Sequence, residues 1–148
     1  MSSALRRAVA RDFPGPAAVA AAPGHRAHLR GYLADLAAPY RVALREPMFD
    51  DACGQSYGEM AATLLAEVLP PDEAVDLLVL AFAVPDIRPG RSTATYLSHI
   101  CPGRPLAFAI CDQGAAAGFT GLRLILSYAR DRERRRAVLL VVEQAALH

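Results

Sequence analysis

The residues of this chain that could do chemistry gather at one junction, "CDQGAAAGFTGL", Cys111 to Leu122. A thiol and a carboxylate, Cys111 and Asp112, stand where an apolar run gives way to a helical pattern. The positive end of a helix lowers a thiol pKa, which makes Cys111 a candidate nucleophile. The plainer reading makes Cys111 a small buried hydrophobe and Asp112 a helix cap. His99 is a candidate general base, with His148 a further one. His25 and His28 form an i, i+3 pair beside a Pro-Gly break with no cysteine or carboxylate arranged around them, so no metal site is expected. No phosphate loop, dinucleotide fingerprint or G-x-S-x-G elbow occurs, and no cofactor is expected.

Composition narrows the classes further. Lysine and arginine number 16 against 15 aspartates and glutamates, a formal charge of +1. That balance recommends neither nucleic acid nor an anionic membrane as partner. One basic run, Arg130, Arg132, Arg134, Arg135 and Arg136, is interrupted by Asp131 and Glu133. It reads as a solvated helix end with cations at the negative pole, or as a patch for an acidic partner. Cys53, Cys101 and Cys111 are odd in number, unpaired in spacing and preceded by no signal-peptide pattern, so they are expected to be reduced thiols of a cytoplasmic protein. The runs "LLVLAFAV" and "AVLLVV" are too short to span a bilayer and suit buried strands.

These residues need elements to position them. Residues 1–16 carry arginines and end in "FPGP", which predicts a loosely ordered N-terminal segment, with a single domain over 17–148. "AAVAAA", 17–22, leans toward a strand ended by Pro23 and Gly24. Leu29, Tyr32, Leu33, Leu36 and Ala37 recur at helical spacing between Arg26 and Arg45, interrupted by Pro39. Ser56 with Glu59 is a capping-box pattern that opens a helix carrying Tyr57, Met60, Ala61, Leu64, Leu65 and Val68 on one face; Cys53 and Gly54, just ahead of it, read as structural. Strands are predicted over Val75 to Val84, 106–111 and 137–143. Helices are predicted from Ser92 or Thr93 through Ile100 and from Ala115 to about Arg130. Alternating strands and helices imply an α/β fold with a mostly parallel sheet and helices on both faces.

With these elements placed, the stretch from Gly54 onward resembles the N-terminal half of the thiolase superfamily, closest to β-ketoacyl-acyl carrier protein synthase III. Five pieces carry the resemblance in order: "VDLLVLAFAVPD", "RPGRSTATYL", "LAFAIC", "AAAGFTGL" and "LLVVEQAAL". The resemblance implies a thiolase-like half domain. In that family a cysteine before A-G-F accepts the acyl group. The matching residue here is Ala116, followed by Ala117, Gly118 and Phe119, so the nucleophile is absent. The family's histidine and asparagine, or second histidine, belong to a C-terminal half beyond the matched region.

The resemblance also implies that the helix after Ala116 lies between two lobes. Alone, one lobe is expected to expose Phe119, Leu122, Leu124, Ile125, Leu126 and Tyr128 on a helix apolar nearly all round. Ala117, Gly118, Phe119, Leu122 and Ile125 are the expected pocket or interface residues. Gly118 and Gly121 suggest close approach of another backbone, or simply a face turned to the chain's own sheet. Expected partners are a second copy in a homodimer, a partner ketosynthase or an acyl carrier protein, whose acidic surface Arg88, Arg91, Arg104 and Arg130 could meet. The function expected is a non-catalytic ketosynthase-like protein of polyketide or fatty-acid-like metabolism. The alternative is an enzyme reusing the acyl pocket for hydrolysis, cyclisation or isomerisation through Cys111, Asp112, His99 or His148, with the Ala116 and Ala117 amides as oxyanion donors. A degenerate paralogue with only a structural role is a third.

Overall fold

A computed structural model describes residues 4–15, 22–45, 55–130 and 136–144. The chain divides into two compact units, one of Met1–Arg11, Tyr57–Val84 and Ser92–Glu143, the other of Asp12–Ser56, Pro85–Arg91 and Gln144–His148.

The first unit is α/β. Strands β1 (Leu77–Ala81), β2 (Leu106–Ile110) and β3 (Ala137–Val141) form a parallel sheet in the order β2-β1-β3. Leu77 aligns with Leu106 on one side and with Ala137 on the other. Every residue of β1 is buried, as its uninterrupted apolar sequence requires of a strand with neighbours at both edges. The strand is shorter than the apolar run, because the ladder ends where its partners end.

Helix α2 (Tyr57–Val68) begins directly after Ser56 and buries Tyr57, Met60, Ala61 and Leu65. Helix α3 (Thr93–Ile100) has Ser92 as N-cap, its hydroxyl accepting from the Thr95 amide at 3.4 Å and meeting the Thr95 hydroxyl at 2.7 Å. Helix α4 (Ala117–Tyr128) follows a 3₁₀ turn, Gly114–Ala116. The connection from β1 to β2 runs one way across the sheet and that from β2 to β3 returns across β1. Right-handed crossovers therefore set α3 and α4 on opposite faces. Leu77, Val79 and Ala81 meet Ala117 of α4, with Leu124, Ile125, Tyr128, Phe108 and Leu139 against them. The alternate residues Leu78 and Leu80 are buried on the other side.

Two expected buried strands prove partly open. Leu106 and Ala109 of β2, and Ala137 and Val141 of β3, are exposed. Both strands are edges of a three-stranded sheet and lack a neighbour on one side.

In the second unit α1 spans Pro23–Ala37 and buries Leu29 and Leu33. Pro23 starts this helix rather than ending an element before it, since the first helical position needs no N–H and proline presets its φ. A 3₁₀ turn, Ala38–Tyr40, takes over at Pro39, and Arg41 closes it in the left-handed region at φ 55°. The helix thus starts before Arg26 and stops well before Arg45. The strand expected over 17–22 lies almost wholly outside the described residues.

Polar side chains tie the first unit's ends. Arg7 donates to the Val68 carbonyl at 3.1 Å, and Arg11 pairs with Glu67, so the arginine-bearing N-terminal segment meets the negative end of α2. Arg136, from the basic run, pairs with Glu73 at 3.3 Å and donates to the Ala74 carbonyl at 3.2 Å, while its amide donates to Asp76 at 2.9 Å. It fastens the start of β3 to the loop entering β1.

The "CPGRP" turn carries the tightest backbone contact. Gly103 has φ +89°, and a Cβ there would stand 2.7 Å from the Val75 carbonyl oxygen and 2.9 Å from its nitrogen. Neither backbone atom can swing aside. Gly103→Ala is expected to lower the unfolding free energy by roughly 2 kcal/mol or more, measured by urea denaturation; an unchanged midpoint would show the turn to be adaptable.

Candidate functional site

In a parallel α/β sheet, ligands bind outside the carboxyl ends of the strands, near the point where the strand order reverses. Here that is the end from which Phe82, Cys111 and Val142 emerge. The backbone ladder runs slightly past the strands: the Phe82 amide donates to the Ile110 carbonyl at 3.1 Å and the Val142 amide to the Ala81 carbonyl at 3.0 Å. Tyr57, fully buried, stacks obliquely on Phe82 with ring centroids 5.2 Å apart and donates its hydroxyl to the Val84 carbonyl at 2.9 Å. This holds the chain leaving β1. Glu143, just past β3, accepts from the Ala83 amide at 2.6 Å and ties the same segment from the other side.

The sequence pattern marked Glu143 only as a strand end, and Tyr57 only as a helix-face residue. A carboxylate immediately after an apolar strand run was the signal available for Glu143, since that position is where an α/β sheet displays its side chains.

Cys111 and Asp112 come together at this end. Asp112 adopts φ 60°, a left-handed conformation that aspartate tolerates. The Cys111 thiol donates to its carboxylate at 3.2 Å. That hydrogen bond, with lesser contributions from desolvation and the aspartate's charge, pushes the Cys111 thiol pKa up. A nucleophilic cysteine needs the reverse, so the expected activation by the helix end is overturned by the adjacent carboxylate. Cys111 is also exposed rather than a buried hydrophobe, whereas Cys101 is buried and its thiol pKa is raised by desolvation.

The other candidates lie elsewhere or are engaged. Gln113 accepts from the Thr120 hydroxyl at 2.6 Å. The Ala116 amide donates to the Gln113 carbonyl at 3.1 Å and the Ala117 amide to the Gly114 carbonyl, so both candidate oxyanion donors are already used inside the turn. His99 is exposed in the last turn of α3, which runs back toward the start of β2; neighbouring Ser98 donates to the Pro105 carbonyl at 2.6 Å. Five strand residues, about 16 Å, separate that end from Cys111. His99 therefore cannot act with Cys111 or Asp112. His148 lies outside the described residues. His25 donates from Nε2 to the Ile87 carbonyl at 2.7 Å, a structural bond, and no group of three potential metal ligands occurs among the described residues.

The small residues at the start of α4 serve its own sheet. Ala117 is buried. A Cβ at Gly121 would stand 2.6 Å from Leu139 Cδ1 and 3.4 Å from Val79 Cγ1; one at Gly118 would stand 3.3 Å from Val141 Cγ2. Side chains of this sheet, not another backbone, fill the space the glycines leave. Ile125, Leu124 and Tyr128 pack on the same side, with Tyr128 against Phe108 at 6.0 Å between centroids. Ala117, Gly118 and Ile125 of the expected pocket or interface set thus face this chain's own sheet, with Gly118 and Ile125 half-buried. Phe119, Leu122 and Leu126 remain outward, 74%, 48% and 46% exposed.

Against known proteins, no family model matches the chain, and neither a curated protein nor a solved structure matches it. No described helix is long and apolar enough to cross a membrane.

Asp112→Asn keeps a residue that tolerates the left-handed conformation, replaces the charge-assisted hydrogen bond that chiefly holds the proton on the thiol with a weaker one, and removes the lesser contribution of the carboxylate's charge. The expected outcome is faster alkylation of Cys111 by iodoacetamide near pH 7.5 and a rate profile displaced to lower pH, read by peptide-resolved mass spectrometry. An unmoved profile would mean that the carboxylate does not govern this thiol.

Proposed function

We propose that this chain is a non-catalytic ketosynthase-like protein that works by assembly in polyketide or fatty-acid-like metabolism. The observation that carries the reading is the pairing of a helix start without a nucleophile, at Ala116, with an outward apolar strip, Phe119, Leu122 and Leu126, on that same helix. Large apolar side chains aligned on one exposed helix face mark an interaction surface. Further support comes from the sequence pieces resembling the N-terminal half of β-ketoacyl-acyl carrier protein synthase III, which fall in order on β1, α3, β2, α4 and β3.

The geometry favours this reading over an enzyme reusing an acyl pocket. Such an enzyme needs a nucleophile or base poised beside oxyanion donors. Cys111 instead shares its proton with Asp112, the candidate amides are spent, and His99 is at the far end of the sheet. The partners in view are a second copy, a ketosynthase or an acyl carrier protein, each covering the outward strip of α4.

Two measurements test the proposal. Intact-protein mass spectrometry after incubation with acetyl- or malonyl-coenzyme A should show an unchanged mass; a covalent acyl adduct would overturn the non-catalytic reading. Phe119→Asp should retain cooperative unfolding while abolishing the complex formed by the wild type, whether with itself in light scattering or with a carrier protein or synthase in co-elution. A wild-type chain that stays monomeric and co-elutes with neither would overturn the assembly.

A further inference from the structure

The arginine-bearing segment ahead of the "FPGP" cluster lies on the first unit in an unusual way. From Ala4 to Asp12 every residue is exposed, none belongs to a helix or strand, and none makes a backbone hydrogen bond to another described residue. Its large apolar side chains stay outside the core, Leu5 85% and Val9 41% exposed. The polar ties that hold it, both within the first unit, are Arg7 on the Val68 carbonyl at 3.1 Å and Arg11 on Glu67. Residues 1–3 and 16–21, on either side, contribute no ionisable side chain.

Those two contacts supply what α2 lacks. Its last turn holds no basic residue, while Glu67 sets a carboxylate at the negative end, where the dipole and the unpaired carbonyls disfavour an anion. Arg7 and Arg11 bring cations there from 61 and 56 positions away. Residues four apart in an extended chain point to the same side, so both guanidinium groups reach α2 together. The attachment is nonetheless open to water: the paired Arg11 and Glu67 side chains are 50% and 38% exposed, and solvent and salt weaken such a pair. Opposing it is the conformational freedom lost by a segment with no ladder and no buried side chain. At the base of the arm Gly15 adopts φ +141°, which favours glycine, and a Cβ built there meets nothing within 4 Å. We infer that residues 4–12 form a detachable arm, latched on the last turn of α2 by Arg7 and Arg11 and released as ionic strength rises. Closed, the arm caps α2 and occupies Glu67; open, it frees that carboxylate and the guanidinium groups of Arg7 and Arg11 to meet other molecules. The inference is independent of the assembly reading above.

The test labels the full chain with phenylglyoxal, which modifies accessible guanidinium groups, and reads each arginine by peptide-resolved mass spectrometry. Arg6, which takes part in neither contact, is the internal standard. Arg7 and Arg11 should be labelled more slowly than Arg6 in about 0.05 M NaCl, and raising the salt to about 1 M should speed both about threefold relative to it. Glu67→Gln should free Arg11 and Arg7 together at low salt, because one latch holds both. The double variant Arg11→Glu with Glu67→Arg should restore the slow labelling of Arg7 that either single change loses. Unchanged thermal unfolding of these surface variants confirms that the fold is intact, and the salt series requires no variant. Labelling of Arg7 and Arg11 as fast as Arg6 at low salt overturns the latch. Slow labelling that persists in 1 M salt (about 3 Å screening length) and in Glu67→Gln overturns the release. Glu67→Gln freeing Arg11 while Arg7 stays slow shows two separate contacts and overturns the single arm.

Discussion

The rotation of α4 about its own axis is set by the contact of Gly121 with Leu139, Val79 and Ile110. A Cβ there would press on Leu139 Cδ1, the end of a flexible side chain, so a larger residue requires that leucine to turn aside or the helix to shift. With that contact made, the 3.6-residue repeat leaves no choice about the rest: Ala117, Leu124, Ile125 and Tyr128 turn toward β1 and its neighbours, and Phe119, Leu122 and Leu126 turn to water. Glycine within a helix costs about 1 kcal/mol against alanine. The close packing of α4 on the fully buried β1 is what offsets that cost, and the exposed strip is its by-product.

The same economy governs the carboxyl end of the sheet. Three polar side chains placed there are occupied by neighbours: Cys111 by Asp112, Gln113 by Thr120, Glu143 by the Ala83 amide. Catalytic arrangements differ in kind, since they place a proton acceptor against a nucleophile and leave donors aimed at an empty position. Here the acceptor keeps the proton on the sulfur and the donors close their own turn. These three contacts thus hold the loops at the end of the sheet.

Much of this was legible in the sequence. The apolar run of β1, the Ser92 cap of α3 and the face of α2 each follow from local rules, because the physics that fixes them acts within a few residues. Other features depend on strand order, which no local pattern carries. The runs "LAFAIC" and "AVLLVV" look as buried as "LLVLA", yet β2 and β3 are edges and only β1 is enclosed. His99 and Cys111 looked like possible partners until α3 was seen to run against the strands. Adjacency of Cys111 and Asp112 was plain, but the direction of the thiol's shift depended on which atom donates. For Gly118 and Gly121 the sequence supplied the need for a close neighbour and left its identity open between this sheet and another chain.

The apolar strip alone is too small to hold a partner. Burying a large apolar side chain fully is worth about 1.5 to 3 kcal/mol. Leu122 and Leu126 are already about half covered and Phe119 about a quarter, so covering the strip yields on the order of 3 to 5 kcal/mol. Association forfeits an estimated 4 kcal/mol or more of translational and rotational freedom before any complex accumulates. A stable complex therefore needs a wider footprint or further specific contacts than three side chains provide.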